Sequence, residues 1–390
     1  MMVPLESGLS ISLHLSEDRV ERVEITSNRP VQASAMLDGR PPAQMLALLP
    51  TLYSLCGTAQ GLAGLEAVEN AAGIAAPAAQ RMARHVLCLV EVLAEHAASV
   101  LRDWPVLLGE AMDPAAVKPL RPLVAATRKA LYPAGDWTAP GGGRLAPDRR
   151  ALDEILRRFD EILSRLFAGP PEERLDGYAD FHAWVAHGDS VATRLLRRLD
   201  GEGIASFGRT APCMMPEAGP HDLDRRLAGD CGGSYRSHPQ CDGRVFETGP
   251  LSRHPRHPLL AALAARHGNG LSTRFTARLV EMATALRELE DLVQDLCDDS
   301  GGLAMGRTDG TGLGQVDAAR GLLAHRVELR EGLLQAYRIL APTEWNFHPQ
   351  GPLALGLMGA SGLDLEWRTA LLAASLDPCV PYRIQVTGHA

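Results

Sequence analysis

A second thiol is missing at both places where one would complete a Cys-x-x-Cys pair: the third residue after Cys56 is Ala59, and the third after Cys379 is Tyr382. A thiolate pair grips a soft metal, and each of these two places offers only one such ligand. Lysine is nearly absent, with Lys118 and Lys129 the only two among 39 basic residues. The arginines that stand in for it are scattered among acids, as from Arg149 to Arg165, which is the pattern of solvated helix faces. A net charge of −8 and a pI near 5.9 argue against a nucleic-acid partner, which requires a basic face. No stretch approaches the ~18 uninterrupted apolar residues of a membrane span. Met1 to Asp18 has no basic region followed by an apolar core, so no signal peptide is expected. Seven cysteines without regular spacing make no disulfide framework and favour a reduced, cytoplasmic setting. The Gly141-Gly142-Gly143 run lacks the lysine and threonine of a phosphate loop and is expected at a loop tip.

What is present points to a protein with a sizeable core. A hydrophobic share of 46% over 390 residues is enough for one large domain spanning 1–390. Leu9 to Leu15 alternates, and Val20 to Thr26 follows a polar break, so a β-hairpin is expected over about 9–27. Helices then dominate. Leu152, Ile155, Leu156, Phe159, Ile162, Leu163 and Leu166 recur at helical spacing between Asp148 and Phe167, and a second long stripe runs from about Ser272 to Leu296. Glycine, proline, histidine and cysteine break the pattern over about 201–258, an irregular excursion over the helical core. Leu323 to Leu329 and Leu333 to Leu340, joined by Arg330-Glu331-Gly332, form another hairpin. A last helix from about Leu363 stops at Asp377-Pro378, which presents Cys379 just past a helix end. Asp136 to Pro147 and Ser300 to Gly314 are expected as flexible loops. The fold class is therefore predominantly α with small β-hairpins (α+β). Cys88 and Cys297 lie on helical stretches and are expected as small buried hydrophobes. Cys56 precedes a glycine and an alanine-rich helix, a place where a helix N-terminus would favour the thiolate.

Between Cys56 and Cys379 four further segments follow in order: Ala67-Val68-Glu69-Asn70-Ala71-Ala72-Gly73-Ile74, Phe246-Glu247-Thr248-Gly249-Pro250-Leu251-Ser252-Arg253, Ala319-Arg320-Gly321-Leu322-Leu323-Ala324-His325 and Pro342-Thr343-Glu344-Trp345-Asn346. This order resembles the large subunit of nickel-iron hydrogenases across most of the chain. The resemblance implies a large-subunit-like helical core, in which two Cys-x-x-Cys motifs hold nickel and an iron carrying two cyanides and one carbon monoxide. A shorter chain that has lost half of each cysteine motif and keeps Asp377-Pro378-Cys379 is similar to the HupK/HoxV family of hydrogenase maturation proteins. What that resemblance implies is an assembly scaffold rather than an enzyme. Its metal ligands are Cys56 and Cys379, and its cargo is the iron-cyanide-carbonyl group without nickel. Its partners are an upstream assembly complex, the apo large subunit and a small maturation chaperone.

Carried over residue by residue, Arg320 matches the arginine over the metals, although Ala319 replaces the usual proline beside it. The alternative for Arg320 is a surface ion pair. Asp377 matches the aspartate near the metal site, and its alternative is a cap on the following turn. Glu6 lacks the glycine and histidine that follow the family's N-terminal glutamate and is expected as a surface carboxylate. The surviving cysteines match those that hold nickel alone, so an iron group on Cys56 and Cys379 sits displaced or takes other ligands. With Tyr382 and Gln385 in place of the second cysteine and the histidine, trimming of the C-terminus is not expected. Two rivals are kept: a metal-free chaperone or oxygen-protection factor that mimics the large subunit, and a divergent catalytic hydrogenase. Cys213, Cys231 and Cys241, with His221 and His238, fit no compact zinc spacing, and His182 and His187 do not share a helical face.

Overall fold

The computed structural model describes residues 8–388 except 31, 212, 218 and 303–305, so Glu6 lies outside the described residues. The chain opens with the expected hairpin, β1 (Leu9–Ser16) and β2 (Arg19–Ser27), antiparallel to each other. Leu9, Ile11 and Leu13 alternate inward from β1, as a period of two requires. The other edge of β1 takes a strand from the far end of the sequence, β6 (Tyr382–Gly388), in parallel register from Leu9↔Tyr382 to Leu15↔Gly388.

Helices fill the space between. The first is α1 (Pro42–Leu52), followed after a short turn by α2 (Gly57–Ala72) and then by α3 (Ala78–Ala98). Farther on come α4 (Leu120–Leu131) and α5 (Arg149–Phe167), the latter started by Asp148, whose side chain accepts from the Ala151 amide. The 25-residue α6 (Leu271–Asp295) is buried on all sides in its first half, including Arg274, Arg278 and Glu281. A helix buried all round belongs at the centre of a core, and its charges must then find partners. They do: Arg274 pairs with both oxygens of Glu247 at 2.8 Å, and Glu281 takes Nε and Nη2 of Arg253 at 2.5 and 2.6 Å.

The second sheet is an antiparallel meander of β3 (Gly310–Ala318), β4 (Gly321–Arg330) and β5 (Leu333–Leu340). The hairpin of β4 and β5 is the expected one, but β3 corrects an expectation. Residues 310–314, assigned to a flexible loop, are strand. Their glycines remove the hydrophobic alternation that would have announced it. A Cβ on Gly310, Gly312 or Gly314 would collide with the carbonyl oxygens of Ala71, Ala67 and Ala63, so the bare strand backbone lies directly on the alanine face of α2. Asn70 locks the seam by donating to the Leu313 carbonyl at 2.7 Å.

The stretch 136–147 is likewise no flexible tip. Gly141, Gly142 and Gly143 are buried, the Gly143 carbonyl accepts from Gln80, and the Gly141 amide donates to Glu69. Cys88 is buried as expected, whereas Cys297 lies past the end of α6 and is exposed, because the helix stops at Asp295. The irregular excursion over 201–258 holds short helical turns, and its Leu223, Leu227, Cys241 and Phe246 pack with Leu322, Ala324 and Trp345. Among the described residues, no helix is long and apolar enough to cross a membrane.

Candidate functional site

Cys56 sits at the N-cap of α2, and Gly57 follows because a Cβ there would meet the Pro50 carbonyl oxygen at 2.5 Å. The other wall takes Pro342 and Glu344 from one helix and Cys379 and Val380 from just past the end of another. The first is α7 (Pro342–Asn346); the second is α8 (Leu365–Leu376), which ends when Asp377 turns left-handed at φ 53° and Pro378 follows. Cys379 comes two residues after that turn, and its Sγ lies 3.2 Å from the Thr343 hydroxyl of α7.

Both thiols open on one cavity of ≈ 550 Å³. Arg320, Glu91 and Glu95 lie on its floor, Ala318, Leu323 and Ile339 supply apolar wall, and Arg29 and Glu344 flank it. Met36, Leu48 and Leu52 stand at the rim, with Met36 75% and Leu52 61% exposed. The structure thus brings together three of the four candidate residues at the surface of one cavity. Asp377, the fourth, lies beneath, joined to Arg320 Nε at 3.5 Å and to Arg278 at 3.8 Å. Neither Ala59 nor Tyr382 lines the cavity. Ala59 is packed with Ala63 and Ala318, and the Tyr382 hydroxyl reaches the Ala370 carbonyl.

Arg320 is not a surface arginine. It is 5% exposed, donates from Nη1 to Glu95 at 3.2 Å, and its Nε has no hydrogen-bond partner. Burial works against its charge, but Asp377 and Glu95 outweigh burial and keep it firmly protonated. Asp377 caps no turn either, since its carboxylate serves the two arginines. Burial pushes that carboxyl up, yet Arg320 and Arg278 hold it below the ordinary carboxylate range. Arg278 also donates to the Ala374 and Ser375 carbonyls, closing the C-terminus of α8 as a cation does.

The expectation that the helix N-terminus favours a Cys56 thiolate is overturned. The first free amides of α2 are already taken: the Glu91 carboxylate of α3 accepts from Thr58 at 2.6 Å and from Ala59 at 2.9 Å. Although Cys56 reaches the cavity, burial, then the Cys379 thiol, then Glu91 push its pKa up to about 12, against help from Arg320 and Gln60. These groups favour Cys56 as a neutral thiol, and a metal that binds it must displace the proton.

Sequence reasoning missed Gln60, Glu91, Glu95, Arg29 and Glu344 as neighbours of the thiols. The signal for Glu91 and Glu95 was present, since two acids four apart interrupt the apolar run from Val86 to Ala98. The quoted segments are held in place by hydrogen bonds of their own polar residues. Glu69 takes two hydrogen bonds from Arg84 at 2.8 Å, Asn346 exchanges two with the Thr248 backbone, and Arg253 reaches the Ala318 and Ala319 carbonyls just before Arg320.

Away from the cavity, His221, Asp222 and Cys241 bring one donor atom each within 4.8 Å of one another, a cluster that spacing alone did not show. Asp222 is already engaged by Arg225, Arg226 and the Cys241 thiol, which supply the positive charge and the hydrogen bonds it needs. Cys213 and Cys231 lie outside that group, and His182 and His187 are exposed.

Comparison with known proteins extends these findings. A family profile described as nickel-dependent hydrogenase matches residues 232–379. The chain is 30% identical over 388 residues to hydrogenase expression/formation protein HupK of Rhizobium leguminosarum bv. viciae, covering 98% of this chain and 97% of that one. It is 30% identical over 390 residues to hydrogenase expression/formation protein HoxV of Cupriavidus necator, covering 93% and 92%. In structure it is similar to the Ni-Fe-Se hydrogenase from D. vulgaris Hildenborough in the reduced state, with a TM-score of 0.68 over 94% of each chain at 16% identity. It is also similar to an NAD+-reducing [NiFe]-hydrogenase in the H2-reduced state, with a TM-score of 0.60 over 94% of each chain at 21% identity. At such identities the structural likeness is one of fold alone.

Proposed function

The chain belongs to the HupK/HoxV family of hydrogenase expression/formation proteins and has the nickel-iron hydrogenase large-subunit fold, and on that footing we propose that it acts in hydrogenase maturation as a scaffold for the iron-cyanide-carbonyl group. It receives that group as cargo from an upstream assembly complex and passes it to the apo large subunit of a hydrogenase. The observation that carries the proposal is the meeting of Cys56, Cys379 and Arg320, from three distant parts of the chain, on one largely apolar cavity.

The donor set suits such a cargo. Two thiols face a soft metal, and Arg320, which lines the cavity and gives Nη1 to Glu95 and Nε to the Asp377 ion pair, carries further guanidinium N–H groups that can donate to an anionic ligand. A charge-assisted hydrogen bond of that kind is worth about 1.5–3 kcal/mol. The apolar wall keeps water from competing for it. The exposed Met36, Leu48 and Leu52 give the rim an apolar surface for a protein partner to cover during transfer, including a small chaperone that accompanies the cargo.

The test is purification under anaerobic conditions after co-expression with the maturation machinery. The expected preparation carries substoichiometric iron, shows infrared bands in the cyanide and carbonyl region, and holds no nickel. Cys56→Ala and Cys379→Ala should each abolish the bands; if both leave bands and iron content unchanged, the ligand assignment fails. A metal-free chaperone is the second reading, and the neutral Cys56 thiol beside an exposed apolar rim favours it. That reading gains if an anaerobic preparation active in maturation has neither iron nor bands. Hydrogenase catalysis by the chain itself is not proposed, since half the thiolates of a bimetallic centre are replaced by Ala59 and Tyr382.

A further inference from the structure

The side chain that touches the Cys56 sulfur is itself held from behind. Gln60, one turn along α2, places Nε2 3.7 Å from Cys56 Sγ. Its Oε1 lies 2.9 Å from Nε2 of His325, and the Nδ1 of His325 lies 2.6 Å from the Tyr337 hydroxyl. Gln60 and Tyr337 are each 2% exposed and His325 is fully buried, so water does not compete for the two bonds of the imidazole. His325 closes the Ala319–His325 segment on β4, and Tyr337 faces it from β5.

Burial keeps the imidazole neutral, with its pKa driven down to about 3, and a neutral ring carries a single N–H. When Tyr337 donates its hydroxyl proton to Nδ1, that N–H must be on Nε2, where it donates to the Gln60 carbonyl oxygen. The Gln60 amide is then left with its NH2 toward the sulfur. The opposite tautomer would turn the Gln60 oxygen toward Cys56 and set lone pairs against lone pairs once the sulfur has lost its proton to a metal.

Resting on the scaffold reading of Cys56, we infer that Tyr337, His325 and Gln60 form a brace that fixes one N–H donor on the Cys56 sulfur. His325 and Tyr337 are thus positioning residues that act on the cargo thiolate through Gln60. A donor on a thiolate draws electron density away from the metal. With the donor in place the sulfur gives less to iron, and iron pushes less into the carbon monoxide, so the brace loosens the hold of a carrier that must let go.

The test compares wild type with Tyr337→Phe and Gln60→Met, two near-isosteric changes, each checked for an unchanged circular-dichroism spectrum. In the metal-free protein at one fixed pH, carboxamidomethylation of Cys56 by iodoacetamide, followed by peptide mass spectrometry, should slow about three- to tenfold in both variants. Cys379 in the same tubes should keep its wild-type rate, which a general loosening of the fold would not allow. In iron-loaded protein the carbonyl band of both variants should move to lower wavenumber. If Tyr337→Phe leaves the Cys56 rate at the wild-type value, the brace does not transmit and the inference is overturned; if Gln60→Met also leaves it there, no donor acts on the sulfur at all. Should Tyr337→Phe fail to fold, Gln60→Glu takes its place, because an oxygen facing the sulfur must slow Cys56 more than Gln60→Met does, and an equal or faster rate overturns the inference. Absence of carbonyl bands from the wild type would count against the scaffold, while the alkylation rates would still decide the brace.

Discussion

Cys56 and Cys379 look alike in sequence, each the first half of an unfinished pair, but they occupy unlike seats. Cys56 is fixed by the start of a 16-residue helix whose position is set by the glycines of β3 and whose free amides belong to Glu91. Cys379 follows a left-handed residue after a helix end and is steadied by one threonine hydroxyl and by Asp377 two residues back. One thiol is part of a rigid wall; the other is the tip of a turn whose base is an ion cluster. A pair of identical thiols can therefore respond quite differently to the same kind of change.

The largest effect is expected at the base of the second seat. Asp377→Ala leaves Arg320 and Arg278 buried beside an empty site, which should cost about 3–5 kcal/mol in urea unfolding. The pH dependence has a definite sign. Burial raises the Asp377 carboxyl, but Arg320 and Arg278 outweigh it, so the folded value lies below the unfolded one. Its stabilisation is complete above an unfolded pKa of about 3.9 and is lost as pH falls through the lower folded value. Urea midpoints should therefore fall more steeply below about pH 4 in the wild type than in Asp377→Asn, and parallel curves would show that this carboxylate contributes nothing there.

Gly312→Ala attacks the first seat instead. Its methyl has no room against the Ala67 carbonyl, so a loss of about 1–3 kcal/mol is expected in the same measurement. Glu91→Gln keeps the shape but offers the Thr58 and Ala59 amides a single acceptor, at a cost of about 1–3 kcal/mol. It also removes a negative charge that raises the Cys56 pKa, so Cys56 should alkylate faster at fixed pH while Cys379 does not change. Equal acceleration at both cysteines would erase the distinction between the seats. The smallest effect is expected from restoring the missing thiols. Because neither position lines the cavity, Ala59→Cys with Tyr382→Cys should raise iron loading per chain and lower delivery of active hydrogenase by less than about tenfold. Tyr382→Ala is the control for lost bulk, and an unchanged double variant would show that weak holding is not why these cysteines are absent.

Much of this was legible in the sequence where side chains repeat with a period. The first hairpin, the helix from Arg149 and the helix from Leu271 carry stripes that only one kind of element can bury. The turn that presents Cys379 was readable because proline stops a helix. What stayed hidden depended on the absence of side chains or on partners far away in the chain. Gly310, Gly312 and Gly314 leave no pattern to read, and the reason for them is a helix some 240 residues earlier, a separation visible only once Ala63, Ala67 and Ala71 face them. Glu91 defeats the simple account of a cysteine at a helix N-terminus, because only the tertiary fold shows who has already claimed the amides.

The parallel pairing of β1 with β6 sets a schedule for the life of the protein. Cys379 is held between α8 and a strand that docks only beside the first strand of the chain, with Leu15 facing Gly388. A ribosome that has made Cys56, Arg320 and most of the helices has still not made the element that anchors the second thiol. On the scaffold reading, cargo offered to a nascent chain would find one thiol and an open wall. Loading would then wait for β6 to be made, and an interrupted polypeptide would take no iron out of circulation.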